Sequence, residues 1–201
     1  MPAPITEEQS RRDRDALLDA AERLFYERGF GAVGMDQVRA ACGLPLKRIY
    51  RFFPAKEDLV VAMLRRRDAR WRGSLAAYVE QAADPHGRVL AVFDWLGRWF
   101  EEPGFRGCAW INAFGELGAS SGPVLAEVRA HKRAFHDQVG VWTAAAGIPA
   151  EPVCLLAEGA MVMAGITGDP APARQARAAA EALLGARGRP AQAAGAAGPA
   201  G

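Results

Sequence analysis

Apolar residues along this chain recur at steps of three and four, and no alternation of useful strand length interrupts them. Leu17, Ala20, Ala21, Leu24 and Phe25 form the first stripe. They predict a helix over residues 10–28, capped by Ser10 and ended by Gly29. Residues 1–9 lack a stripe and read as a loose arm. A short helix opens after Gly34. Val38 and Cys42 lie before a turn at Gly43; Leu44, Ile49 and Phe52 lie after it. Gly43 suits that turn because a left-handed backbone costs little without a Cβ. Pro54 stops the helix after the turn, since the residue before a proline avoids helical geometry. Leu59, Val60, Met63, Leu64, Trp71, Leu75 and Tyr78 then mark one long helix over 56–82. Five more are predicted, at 86–100, from 107, and at 124–146, 151–167 and 170–186. Asp84-Pro85, Ser121-Gly122-Pro123 and Gly147-Ile148-Pro149 punctuate them. The expectation is an all-α protein of about nine helices, with a tail at 187–201 too rich in Gly, Ala and Pro to order.

The paired helices of 35–52 bury one side against each other and leave one side of the second uncovered. That side carries Lys47, Arg48, Tyr50 and Arg51. Three cations and a phenol on two turns of helix suit a DNA major groove and its phosphates. The pattern is a helix-turn-helix with the second helix as reader. From Asp15 to Leu59, the order of an amphipathic helix ending Glu-Arg-Gly-Phe, the Gly43-Leu44 turn and then Ile-Tyr-Arg-Phe-Phe-Pro-Ala-Lys-Glu-Asp-Leu resembles the N-terminal domain of tetracycline-repressor (TetR) family regulators. Arg39 stands where the family usually has Ala, and Pro45 where it usually has a capping Ser. Candidate DNA contacts are therefore Met35, Arg39, Pro45, Lys47, Arg48, Tyr50, Arg51 and Lys56, the last at a helix start that touches the backbone.

The net charge is only +2, so a nucleic-acid signal must be local. Arg65-Arg66-Arg67 reads as a solvated face, and Arg11, Arg12 and Arg14 as either a solvated turn or a DNA-side cluster. Three scattered cysteines imply reduced thiols, and Cys108 has no flanking cation in sequence to activate it. No nucleotide, hydrolase or metal motif is present, so no catalytic residue, metal or cofactor is expected. His131 and His136, about 140° apart on a helix, read as partly exposed. Polar opening residues and the lack of an 18-residue apolar run argue against a membrane span and for the cytoplasm.

The domains expected are a three-helix DNA-binding head at 10–54 and a helical bundle for ligand binding and dimerisation at 55–186. The resemblance implies a homodimeric transcriptional regulator, most often a repressor, that binds a double-stranded operator and leaves it when a small-molecule effector binds. The resemblance implies a ligand cavity among the C-terminal helices, and the aromatic supply there suits an elongated apolar one lined by some of Trp95, Trp99, Trp110, Phe114, Phe135, Trp142, Met161 and Met163. Asn112, Glu116 and His131 are its candidate polar contacts, and the carboxylate and amide favour a cation or a hydrogen-bond donor. The stretch 153–166 is apolar nearly all round, with Gly159, Ala160, Ala164 and Gly165 allowing close approach, and the last helix adds Ala176, Ala179, Ala180, Leu183 and Leu184. They are the expected homodimer interface. A second reading is a helical binding module or enzyme whose head no longer binds DNA.

Overall fold

A computed structural model describes residues 6–186, and all of their regular structure is helical. The predicted tail at 187–201 and residues 1–5 of the predicted arm lie outside the described residues. Among the described residues nine helices run α1 (Glu7–Arg28), α2 (Met35–Cys42), α3 (Leu46–Phe52), α4 (Lys56–Val79), α5 (Pro85–Phe100), α6 (Ala109–Leu117), α7 (Gly122–Ala145), α8 (Ala150–Thr167) and α9 (Ala171–Ala186). The first helix starts three residues before the predicted start at Ser10. Thr6, not Ser10, caps it by accepting the Gln9 N–H at 3.1 Å. Glu7 and Glu8 in the first turn then suit the positive end of the helix, so residues 7–9 are helix rather than arm.

Helices α1 to α3 bury Leu17, Leu24, Phe25, Val38 and Ile49 together as a small head. The long helix α4 joins this head to the rest. Its first half buries Leu59, Val60, Met63 and Leu64; its second half buries Trp71, Leu75 and Val79 in the body. Within the body, α7 packs on α4, α6 and α8, and α9 lies against α5 and α8. The core of the body is aromatic. Trp71 meets Trp95, Trp99 and Phe135 at centroid distances of 5.0, 5.4 and 5.6 Å, with the rings steeply inclined.

The eighth helix has the length and mean hydropathy, 1.3, of a short membrane span. It carries Glu158, whose carboxylate takes a hydrogen bond from Lys132 Nζ at 2.5 Å, and it buries Val153, Ala157, Ala160, Met161 and Ala164 against its neighbours. A carboxylate is costly at mid-membrane. These residues make α8 a packed helix of the bundle.

At one point the bundle tolerates only glycine. A Cβ on Gly165 of α8 would stand 2.9 Å from Gly107 Cα, a backbone atom that cannot swing aside. Gly165→Ala is expected to destabilise by about 1–3 kcal/mol through overpacking. Gly115→Ala on α6, where nothing lies within 4 Å, is expected instead to gain up to about 1 kcal/mol from helix propensity. Urea denaturation of the two variants checks the opposite signs.

Candidate nucleic-acid interface and effector region

The reading pair is built from local rules. Gln37 Oε1 accepts the Gly34 N–H at 2.8 Å and closes the start of α2. At its other end Gly43 adopts φ 71°, and its N–H returns to Arg39 O at 3.0 Å. Pro45, extended at φ −61° and ψ 140°, then opens α3, and its carbonyl accepts the N–H groups of Arg48 and Ile49. The fully buried Val38 and Ile49 lock the two helices, leaving Lys47, Tyr50 and Arg51 of α3 exposed.

Arg48 departs from that picture. Its guanidinium pairs with Asp13 of α1 and lies 5.5 Å from the Phe52 ring centroid, with only 14% of the side chain exposed. It fastens the reading helix to α1 and does not belong to the outward face. The Met35 side chain is half-buried and packs on the core. Arg39 extends outward, as close packing of α2 on its neighbours requires, with Nε 3.3 Å from Asp36. Lys56 is drawn over the Phe25 ring at 5.7 Å. Burial there lowers its ammonium pKa, against the opposing charges of Glu57 and Glu116. Among the arginines of α1, Arg12 pairs with Glu8 at 2.7 Å and Arg14 lies over Phe53.

Of the run Arg65-Arg66-Arg67, Arg65 stays exposed as a solvated face would, while Arg66 and Arg67 are drawn into ion pairs. Glu22 of α1 accepts from Arg67 Nη1 at 2.8 Å and from Arg70 Nη2 at 2.5 Å, with Arg66 Nη2 at 3.4 Å. Arg66 also holds Asp19 at 2.6 Å, and Arg65 holds Glu127 at 2.8 Å. Burial pushes the Glu22 carboxyl up, but hydrogen bonds and charge from Arg70, then Arg67, hold it below the usual range. The same seam contains Tyr26, whose hydroxyl donates to Gly107 O at 2.8 Å and accepts the Arg106 N–H at 2.9 Å. Glu116 of α6 accepts the Gly31 N–H at 2.7 Å, just after the end of α1. Head and body are thus joined by a carboxylate–arginine cluster, a phenol and a second carboxylate.

The eleven residues expected to line one effector cavity fall into three places. Trp110, Phe135, Trp142 and Met161 are buried in packed core, and Trp95 and Trp99, also buried, edge a shallow hollow against α4. Phe114 and Met163 are exposed, at 56% and 50%, and line no interior. Asn112 donates to Arg106 O at 2.9 Å, and with Glu116 it borders a surface cleft of about 670 Å³ at the head–body seam. Each has one backbone partner there: Glu116 Oε2 takes the Gly31 N–H, and Asn112 Nδ2 donates to Arg106 O. His131 is buried, not partly exposed. It lies flat on Trp110 at 3.6 Å and shares a 2.6 Å hydrogen bond between Nδ1 and Asp68. Burial lowers its pKa, but the Asp68 and Cys108 bonds outweigh this and raise it. Asp68 in turn is held at about 2: burial opposes ionisation, and the bonds from His131 and Arg72 overcome it.

Cys108 acquires from α7 the cation its flanking sequence lacks. Lys132 Nζ stands 3.7 Å from its sulfur. Burial raises this thiol, yet the bond from His131 and the charge of Lys132 carry it below the ordinary value. Neither Trp71, the hub of the aromatic core, nor Asp68 was a sequence candidate. A signal existed for the clamp on Glu22: Arg66, Arg67 and Arg70 share one face of α4, and Asp19 and Glu22, three apart, share one face of α1.

With this geometry in place, comparison with known proteins is informative. Residues 17–63 match the profile of bacterial regulatory proteins of the tetR family. The chain is similar to the crystal structure of SCO4454, a TetR-family transcriptional regulator from Streptomyces coelicolor. It shares 31% identity with that protein at a TM-score of 0.79, over 88% of this chain and 96% of that one. A second likeness is to the HTH-type transcriptional regulator Rv1255c of Mycobacterium tuberculosis, 33% identical over 76 residues. That match spans only 38% of each chain. The fold also matches the reduced form of Escherichia coli NemR, with 22% identity and a TM-score of 0.74 over 85% of this chain and 96% of NemR.

Proposed function

Starting from the fact that this chain belongs to the TetR family of DNA-binding transcriptional regulators, we propose that it is a cytoplasmic repressor that reads a near-palindromic operator as a homodimer and releases it when a small molecule binds. The observation that carries the reading is the outward face of α3: Lys47, Tyr50 and Arg51 stand exposed on a helix fixed from behind by Ile49. Lys47 and Arg51 supply base and phosphate contacts, and the Tyr50 hydroxyl donates to a phosphate. Arg39 and Pro45, both exposed beside α3, flank this face. Two such helices about 34 Å apart would enter successive major grooves. The outward faces of α8 and α9 support the dimer: Leu155, Val162, Ile166 and Leu183 are large apolar side chains exposed there. Release requires a ligand that prefers the arrangement unfit for DNA, since equal affinity for both shifts nothing.

Selection of bound sites from random DNA, followed by binding measurements on variants, tests this. A base-reading Arg51→Ala is expected to cost about 1–3 kcal/mol and relax specificity at one position of each half-site. A phosphate-binding Lys47→Ala would weaken all sequences and lower the salt slope by about one per contact. Arg48→Ala is expected to act differently, lowering stability through the lost Asp13 pair while leaving the sequence preference in place. Wild-type operator affinity in the Lys47, Tyr50, Arg51 triple alanine variant would overturn the assignment.

A further inference from the structure

We propose that the cleft between α1, α4 and the loop at 101–105 binds a flat aromatic carboxylate, whose acid group takes the arginines now held by Glu22. The proposal rests on the ligand-gated reading above and gives it a site and a chemistry. Two hollows with a shared wall meet here. One, of about 460 Å³, is bordered by Tyr26, Phe105 and Glu22. The other, smaller and shallower at about 190 Å³, is bordered by Trp71, Ser74 and Trp95. Arg67, Arg70, Trp99 and Glu102 line both.

The walls are flat. Trp95 and Trp99 stack at 5.8 Å, and Trp71 stands edge-on to both. Two residues of this lining also carry unmet donors. Trp71 is 7% exposed and its indole N–H has no partner; the buried Nε–H of Arg67 has none either. A buried donor in this state wants an acceptor, which an ordered water or a ligand that shifts these side chains can bring. Asp19, Glu22, Glu27 and Glu102 all stand on the lining and would repel a polyanion such as phosphate, so a single carboxylate enters only in exchange for Glu22. One carboxylate on an aromatic body meets all of these conditions.

Glu22 already shows how such a group would be held. Its carboxylate lies between Arg67 and Arg70, whose planar guanidinium groups suit a carboxylate better than an ammonium would. Glu22 belongs to the head, and Arg67 and Arg70 to the middle of α4. A ligand carboxylate that displaces Glu22 therefore loosens α1 from α4 as it binds. Affinity is then higher for the loosened arrangement, which is the difference an effector needs.

The test uses the full-length protein, with benzoate and 1-naphthoate as probes and their carboxamides as neutral isosteres. Isothermal titration calorimetry reads binding, and release of a selected operator fragment reads the response. Both acids are expected to bind saturably, with the amides at least tenfold weaker. Glu22→Gln removes the resident carboxylate, so it should tighten acid binding about tenfold while weakening operator binding without ligand. Arg70→Gln should weaken acid binding about tenfold or more. A packing role alone would move both variants in one direction. Amides that bind as well as acids, acids that do not bind, or variants that shift together would overturn the site. Should Arg70→Gln unfold, the acid–amide contrast and Glu22→Gln decide. Acids that bind without releasing the operator would overturn the exchange as a gate and leave the site standing. A wild-type protein that selects no operator would refute the regulator reading, while the calorimetry still decides the site.

Discussion

Ile166→Arg is expected to turn the protein into a monomer and to cost it most of its operator affinity. The outward edge of α8 runs Leu155, Gly159, Val162, Ile166, at steps of four, three and four, which is one helical face. Leu155 and Ile166 are 73% and 75% exposed in the single chain. Beside them α9 presents Ala178, Ala179, Ala182 and Leu183 outward and turns Ala176, Ala180 and Leu184 inward. A twofold axis through this face would set each Ile166 against its copy or close to it, so one substitution places two guanidinium groups in an apolar contact. Leaving buried charges unpaired costs about 3–5 kcal/mol. That is two to three decades or more in dissociation constant, at about 1.4 kcal/mol per decade. A monomer then contacts only one half-site. Sedimentation velocity at micromolar concentration, beside operator binding, checks both effects; an Arg variant that sediments as the wild type refutes the interface. Ala160, by contrast, is 4% exposed and faces the protomer's own core. An Arg there would unfold the chain before it said anything about the dimer.

Trp110→Ala should be the most damaging single truncation among the aromatic residues of α6, at about 3–5 kcal/mol. Trp110 is 1% exposed, lies flat on His131 and meets Trp71 at 6.4 Å. Removing it opens a void beside the Asp68–His131 pair, which loses its cover on one side. For a chain of this length the expected fall in Tm is about 10 °C, at 2–4 °C per kcal/mol. Phe114→Ala, one turn along the same helix, should lie within about 0.5 kcal/mol, because that ring is 56% exposed. Calorimetric melts of the two variants, recorded in reducing buffer, test the contrast. Equal losses would mean that the two rings share an environment, contrary to their placement.

These two tryptophan and phenylalanine positions also show what a sequence can and cannot carry. Their spacing on one helix was legible, as were nearly all helix bounds, because period, glycine and proline are local. The Gly43 turn and the buried Val38 and Ile49 followed for the same reason. Arg48 did not. Its neighbour Asp13 is 35 positions away, and no local rule distinguishes a guanidinium aimed at DNA from one aimed at α1. Cys108 failed in the same manner: its lysine is on another helix. Aromatic residues in the body were read as one cavity lining, yet most of them pack round Trp71, and of the set Trp95 and Trp99 border a hollow. Composition gives the amount of aromatic surface; only packing says whether the faces meet each other or a guest. Glu116 was legible as a charge and not as a fastener between head and body, because Gly31 lies far off in sequence.

The reading helix has seven residues, and a single one of them, Ile49, is fully buried. Its exposed side chains contribute little to the stability of the fold, since exposed substitutions away from special contacts fall within about 0.5 kcal/mol. If Lys47, Tyr50 and Arg51 read DNA as proposed, descendants of this chain could exchange them freely as target sites diverge after duplication, while the scaffold beneath stays under its own selection. Arg48 would sit outside that freedom: its pair with Asp13 makes it a stability residue, so on this proposal the vocabulary of sites open to such a lineage is written with three letters of this helix, and the fourth is already taken.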